Sequence, residues 1–389
     1  MQNESHTCAG EGVDPFLELD GLRALAGEGE IDLATLRAIR LGAALCELRE
    51  RGTRDFVALE AEILSDLCVL RHQRNDRAGA CGLARACLEL APQHALAREN
   101  LALIEAQPGS PAEDRTEDPL ASLLNPWVRQ ALDLAQREEG LSGKDVIEVG
   151  GAVPEEHARA TGASSWSGFY LGAERKCAPG YEIRDADARA IPWPDQSFDL
   201  AFSSCAFEHI QELPRALKEI ARVLRPGGVL VTSFAPIWSC AVGHHLWGRD
   251  AQGARVHFLD PLVPLFGHLL LGEAELAWFL THTQGRETAL RFAGQVFRHP
   301  HINRVHSAQY REAFAAAGFE DSRLAEQGPW HPTHEPSRAL LEALEQRHPG
   351  QGGFGSPGFE GVLRLGRRRA GAPLVRPSAG RTIFLGLHR

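Results

Sequence analysis

Asp145 to Pro154 reads DVIEVGGAVP: an apolar run holding one acid, Glu148, then the small residues Gly150, Gly151 and Ala152, then a proline suited to the first turn of a helix. A strand that runs into such a turn lets the backbone approach a nucleotide-like ligand at the carboxyl end of a parallel sheet, although a glycine pair after a strand also serves as a plain tight turn. A second stretch, Asp187 to Gly228, gathers an Asp187-Ala188 pair, an Ile191-Pro192-Trp193 turn, the run Asp195 to Asp199, a Glu208-His209 pair and the run Arg222 to Gly228. A third, from Ala235 to Ser307, is rich in histidine: His244-His245, His257, His268, His282 and His299-Pro300-His301. A histidine beside a reacting alcohol or ammonium can take its proton near neutral pH, and His209, His244 and His245 are the candidates for that task. The histidine spacings fit no helix face that would hold a metal, and His299-Pro300-His301 reads as a turn, so no metal is predicted.

Short apolar strands must position these residues. Asp145–Val149, Tyr181–Arg184, Phe198–Ser203 and Val229–Phe234 each read as one, alternating with helical patterns, and the alternation predicts an α/β domain with a largely parallel sheet. Leu213, Leu217, Ile220 and Leu224 make one helical stripe, closed by the stop signal Arg225-Pro226-Gly227-Gly228. Tyr310 to Ala317 reads as a helix, Phe319 to Leu324 as a strand, and Thr382 to Leu387 as a final strand. Pro349 to Gly380 between them, with Arg364, Arg367, Arg368 and Arg369, reads as a solvated loop or as a binder of substrate phosphate or carboxylate.

Upstream the pattern differs. Residues 15–106 are helix after helix, with Val57, Ile63, Leu64, Leu67 and Leu70 on one and Ala80, Ala84, Leu88 and Leu90 on the next. The small residues at the crossing resemble a tetratricopeptide repeat, and an ordinary helical bundle fits as well. Residues 107–118, QPGSPAEDRTED, mark an exposed linker. The expected organisation is a helical repeat-like domain over 1–106, a linker over 107–118 and an α/β domain over 119–389 with a lid insertion over 235–307. A chain beginning near Pro119 is expected to fold alone.

The motifs in Asp187 to Gly228 closely resemble those of the class I S-adenosylmethionine-dependent methyltransferases, in the family's order. The resemblance covers roughly 140–235 and implies a Rossmann-like sheet, S-adenosylmethionine as cofactor, and roles for individual residues. Glu148 would face the methionyl ammonium, and Gly150, Gly151 and Ala152 would leave room for the cofactor. Asp187 would accept from the adenine amine, the Ala188 amide would donate to the ring, and Ser203, Ser204 and Cys205 would line the methionyl side. The resemblance also implies that the final strand lies antiparallel in the sheet. The family pattern is broken where a third glycine is usual, here Val153 or Pro154, and where an acid holds the ribose, here Tyr170.

Composition narrows the partners. Against 41 basic residues stand 51 acidic ones, a net charge of −10 that repels a polyanion, so no nucleic-acid partner is expected. The 8 cysteines lack paired spacings and read as reduced thiols. The polar start and the lack of a long apolar window predict no membrane span and a cytoplasmic location. The expected reaction moves a methyl group to an oxygen or nitrogen of a small molecule, sugar or peptide, with a protein partner possible at the helical domain. The alternative is a weakly catalytic cofactor-binding scaffold whose helical domain binds a protein.

Overall fold

The computed structural model describes residues 15–51, 56–107, 124–321 and 323–366. Five helices come first: α1 (Pro15–Gly27), α2 (Ile31–Glu50), α3 (Val57–Gln73), α4 (Arg77–Leu90) and α5 (Ala95–Ala106). Asp76 caps α4 by accepting from the Gly79 amide at 2.9 Å and is gripped by buried Arg71, which fixes the turn between α3 and α4. Among the described residues no helix is long and apolar enough to cross a membrane.

After α6 (Pro126–Glu138) comes the sheet: β1 (Asp145–Val149), the short α7 (Glu155–Ala160), β2 (Ser165–Tyr170), β3 (Lys176–Ala178), β4 (Tyr181–Asp185), β5 (Phe198–Ser204), α8 (Leu213–Val223) and β6 (Leu224–Phe234). An insertion follows, with a two-stranded ribbon of β7 (Gly248–Arg249) and β8 (Arg255–Val256), then α9 (Gly267–Leu270), α10 (Glu273–Gln284) and α11 (Arg286–Arg298). The chain then returns to the sheet through α12 (Ser307–Ala316), β9 (Phe319–Asp321), β10 (Ala325–Glu326), α13 (Arg338–Arg347) and β11 (Phe359–Leu365).

The strand order is β10-β11-β6-β5-β1-β2-β4-β3, with β9 also pairing β11. β1, β2, β4, β5 and β6 run parallel, and Val146, Ile147 and Val149 of β1 are wholly buried, as a strand covered on both faces requires. This is the expected Rossmann-like sheet. Several motif residues serve it structurally. Arg225 bridges Asp199 at 2.7 Å and Asp145 at 3.0 Å, pinning the amino ends of β1, β5 and β6. Arg222 holds the Ile191 and Trp193 carbonyls, each within 2.9 Å.

One stretch read as loop forms a strand: β11 pairs antiparallel with β6 from Phe359↔Phe234 to Arg364↔Val229. Buried Phe359, Val362 and Leu363 explain why: the flanking glycine, proline and arginine hide a short apolar run. Arg364 lies on this strand and pairs with Glu139, so it meets a carboxylate of the protein itself. Residues 367–389, including Arg367, Arg368, Arg369 and Thr382–Leu387, lie outside the described residues, as do most of 107–118.

Packing also joins what the sequence pattern separates. One hydrophobic core runs from Leu36, Leu64 and Leu83 of the first helices to Phe279, Leu280 and Phe292 of the insertion. Gly42 of α2 makes the closest approach, since a Cβ there would lie 2.2 Å from the Trp278 ring of α10. Arg71 of α3 sits 5.5 Å from the centre of the Phe279 ring.

Candidate methyl-transfer site

β5 and β1 are neighbours, and the chain winds outward from them in opposite directions, so the crevice beyond their carboxyl ends is the topological switch point where open α/β sheets bind ligands. Gly150 and Ala206 meet there. Gly150 has φ +81°, and a Cβ on it would fall 2.4 Å from the Ala206 side chain, so only glycine fits. The chain then doubles back, with the Gly150 amide donating to the Phe169 carbonyl at 2.9 Å and Gly151 bridging to Phe169.

Glu148 shapes this loop from beneath. It is buried, and its Oε2 accepts from the Val153 amide and from Trp166 Nε1, both at 2.8 Å. Its other oxygen lies so near Gly151 that a Cβ there would sit 2.4 Å away. Burial pushes its pKa up to about 7 against those two hydrogen bonds. Tyr181 completes the clamp, its hydroxyl donating to the Val153 carbonyl at 2.8 Å. The lost third glycine is thereby accounted for, because buried Val153 is a fixed anchor of the turn. Glu148 thus contacts the loop directly through Oε2.

The remaining candidates lie along the same edge. Tyr170 ends β2 partly exposed, opposite Asp185 of β4. Asp187 follows β4, and Ala188 behind it is buried. Arg189 grips the Asp187 carboxylate through Nη2 at 2.6 Å and its own amide at 2.8 Å, which holds the acid below its ordinary pKa. Of the three residues at the end of β5, Ser203 is wholly buried and donates to the Val149 carbonyl at 3.1 Å, tying β5 to β1. Ser204 and Cys205 reach the edge, with Cys205 at φ +49° starting the turn and burial raising its thiol pKa to about 12. The edge fits a cofactor of the adenosyl amino acid type. A glycine turn that admits no side chain, a phenol and an acid followed by a small residue stand at the ends of the neighbouring strands β1, β2 and β4.

The turn after β5 carries Glu208 and His209. His209 Nδ1 lies 2.6 Å from the His301 carbonyl, an acceptor, so Nδ1 carries the proton and Nε2 is left unprotonated. The His245 ring centre stands 5.0 Å away and that of His301 4.7 Å away. Burial lowers the pKa of His209 and, further, that of His245, so both are neutral near pH 7. Glu208 is buried, its Oε2 lacks a hydrogen-bond partner, and desolvation raises its pKa to about 8. His244 is placed elsewhere: wholly turned into the insertion, its ring faces His268 at 5.5 Å, so it does not join the other two.

Asn303 stitches the insertion's end to this turn. Its amide donates to the Glu208 carbonyl at 2.9 Å, and its side chain donates to Phe207 and Ile210 carbonyls at 2.6 and 3.0 Å. Sequence reasoning missed Asn303 and set His301 aside as part of a turn. Nothing local marks either one for this site, since the partners that tie them to the turn after β5 lie 92 or more positions away. From His245 a file of rings leads outward: Phe258 at 5.2 Å, then Trp247 at 5.5 Å and Trp330 at 6.3 Å from Phe258, and Trp127 at 5.6 Å from Trp330. Trp127 and Trp247 are exposed.

Sheet, switch point and glycine turn together define a Rossmann-like ligand-binding α/β domain. Residues 152–232 match the family described as "Methyltransferase domain", and this part of the chain is a class I S-adenosylmethionine-dependent methyltransferase domain. Similar curated proteins include malonyl-[acyl-carrier protein] O-methyltransferases of Halorhodospira halophila, 41% identical over 18% of this chain and 24% of the relative, and of Methylococcus capsulatus, 36% identical over 28% and 38%. The ubiquinone/menaquinone biosynthesis C-methyltransferase of Hahella chejuensis is 30% identical over 28% of this chain and 49% of its own. The chain thus spans between a quarter and a half of the length of these relatives. Among solved structures, an S-adenosylmethionine dependent methyltransferase from Mesorhizobium loti aligns over 60% of this chain and 94% of its own at 19% identity and a TM-score of 0.36, too slight a likeness to add to the topology above.

Proposed function

We propose that this chain transfers a methyl group from S-adenosylmethionine to an oxygen or nitrogen of a small-molecule, sugar or peptide acceptor and releases S-adenosylhomocysteine. The observation that carries the reading is the pairing of His209 with His245 of the insertion, directly after the turn that joins Ala206 to Gly150. When bound, the cofactor supplies an electrophilic methyl carbon on a sulfonium. Gly150 and Gly151 would admit its amino-acid end, Tyr170 its ribose, and Asp187 with the Ala188 amide its adenine. Ser204 and Cys205 would line the methionyl side, and Ser203 would position them by holding β5 to β1. Glu148 would act on the loop's shape and not on the ammonium.

The acceptor would enter along Trp127, Trp330, Trp247 and Phe258, whose flat faces suit a planar ring or the CH-rich face of a sugar. His209 Nε2 would receive its proton, with the His301 carbonyl fixing the ring, and the insertion would exclude water and hold the acceptor in line. The named relatives act on different atoms, an oxygen in two and a carbon in one, so the preference for oxygen or nitrogen rests on the histidine pair alone. The scaffold reading draws on the Arg189 grip on Asp187 and on a tyrosine at the ribose position. Purified protein incubated with methyl-labelled S-adenosylmethionine and fractionated metabolites separates the two. Label in a small molecule, lost in His209→Ala while S-adenosylhomocysteine still binds, is the expected result, whereas binding without any transfer favours the scaffold.

A further inference from the structure

Glu208, His209 and His245 bring one carboxylate oxygen and two imidazole nitrogens within 4.8 Å of one another, the one such group of three among the described residues. We infer that they form a binding site for a divalent transition-metal ion at the acceptor end of the methyl-transfer cleft. The spacing in the sequence argued against a metal because it looked for ligands along one helix. The fold supplies them from two loops instead, the turn after β5 and the start of the insertion.

Three features favour an ion. Glu208 is only 1% exposed, yet its Oε2 has no hydrogen-bond partner, and a buried carboxylate oxygen is costly to leave so. His209 donates Nδ1–H to the His301 carbonyl at 2.6 Å, the arrangement that fixes the tautomer of a metal-bound imidazole, and so presents Nε2, 4.0 Å from Glu208 Oε1. His245 sets Nδ1 3.4 Å from the Gly243 carbonyl, which favours the same tautomer. Ligand bonds of about 2.0–2.2 Å require the three atoms to close by roughly 1 Å, within reach of small side-chain rotations. Two imidazoles and one carboxylate suit zinc, iron or manganese and disfavour magnesium and calcium, which prefer all-oxygen cages. Three protein ligands leave a coordination position for the acceptor's heteroatom; with His209 Nε2 then engaged as a ligand, the ion in place of that nitrogen would ease deprotonation, and the proton would pass to water. That last role rests on the proposed function, while the binding itself does not.

Chelator-treated full-length protein titrated calorimetrically with Zn2+, and in parallel with Mg2+, tests the site. The expected result is one zinc per chain, weakened roughly tenfold or more in His245→Ala and in Glu208→Gln and unchanged in His244→Ala, with magnesium much weaker. Co2+ should give a visible absorption band that the same two substitutions abolish. S-adenosylhomocysteine affinity, measured on each variant, reports folding and the cofactor site independently. Zinc binding that is absent, or indifferent to both substitutions in variants that still bind S-adenosylhomocysteine, overturns the inference and leaves the proposed function standing. Loss of S-adenosylhomocysteine binding by the wild type would sink the function and leave the metal result to be read alone.

Discussion

At the scale of single residues, the motif carries two kinds of acid. Asp187 stands at the edge and is ionised by its Arg189 partner, ready to accept a hydrogen bond. Asp187→Ala should weaken S-adenosylhomocysteine binding by about 1–3 kcal/mol, the cost of an unmet donor, and titration calorimetry on the folded variant reads it directly. Unaltered affinity would remove Asp187 from the adenine site. Glu148 is buried beneath the loop, its folded pKa about 7 against an ordinary 4.5. A raised carboxyl pKa means that the folded state binds the proton more tightly, so its contribution is fully present below about pH 4.5 and is lost as pH rises through about 7. Glu148→Gln keeps an oxygen to accept from Val153 and Trp166 but cannot ionise. The stability of the wild type relative to this variant should therefore fall by roughly 2–3 kcal/mol between pH 4.5 and pH 8, as measured by urea unfolding. Parallel profiles would show that the carboxyl ionises as readily in the folded chain as in the unfolded one, with no raised pKa.

At the scale of elements, the cleft is assembled where the turn after β5 meets the two ends of the insertion. Asn303 and His301 come from just after α11, and His245 comes from just before the β7–β8 ribbon. The outer wall is made of rings from three further places: α6 gives Trp127, the residues flanking the β7–β8 ribbon give Trp247 and Phe258, and the segment after β10 gives Trp330. If an acceptor slides along these rings, Trp247→Ala and Trp330→Ala should each raise its KM about threefold to tenfold while leaving S-adenosylhomocysteine affinity unchanged, since each ring contact is worth about 0.5–1.5 kcal/mol. Equal KM values in both variants would direct the acceptor to another entrance. Exposed Trp247 is better suited to this test than Trp330, whose partial burial also supports the segment after β10.

At the scale of the whole molecule, the helical region and the insertion form one packing unit across the sequence boundary at 107–118. Removing residues 1–106 would strip the cover from Trp278 and Phe279 of α10 and leave Arg71's partner ring open to water. A chain beginning at Pro119 should therefore lose soluble yield or melt more than about 10 °C below the full chain, contrary to the independence its sequence suggests. Thermal melts of both chains, with S-adenosylhomocysteine titrated into each, decide the matter. A truncated chain that melts with the full one and binds equally would instead support the two-part division.

The sequence by itself determined the central strands of the sheet. Strands buried on both faces are written as apolar runs, and the Asp187 to Gly228 motifs are local enough to be read in order, so Asp145–Val149, Phe198–Ser204 and the helix after Glu212 were all legible. The same locality made Gly150, Asp187 and His209 visible as candidates. Only the tertiary structure decided which way the side chains turn and which distant ones meet. Glu148 turned inward because Val153 and Trp166 donate to it, His244 and His245 parted because adjacent residues in that turn face opposite sides, and His301 reached His209 because Asn303 ties the two loops. Phe359–Leu365 became a strand because β6 offered it an edge. The helical region joined the insertion because apolar faces with no local partner pack against whichever surface the fold brings to them, a choice set by long-range geometry that periodicity along the chain does not record.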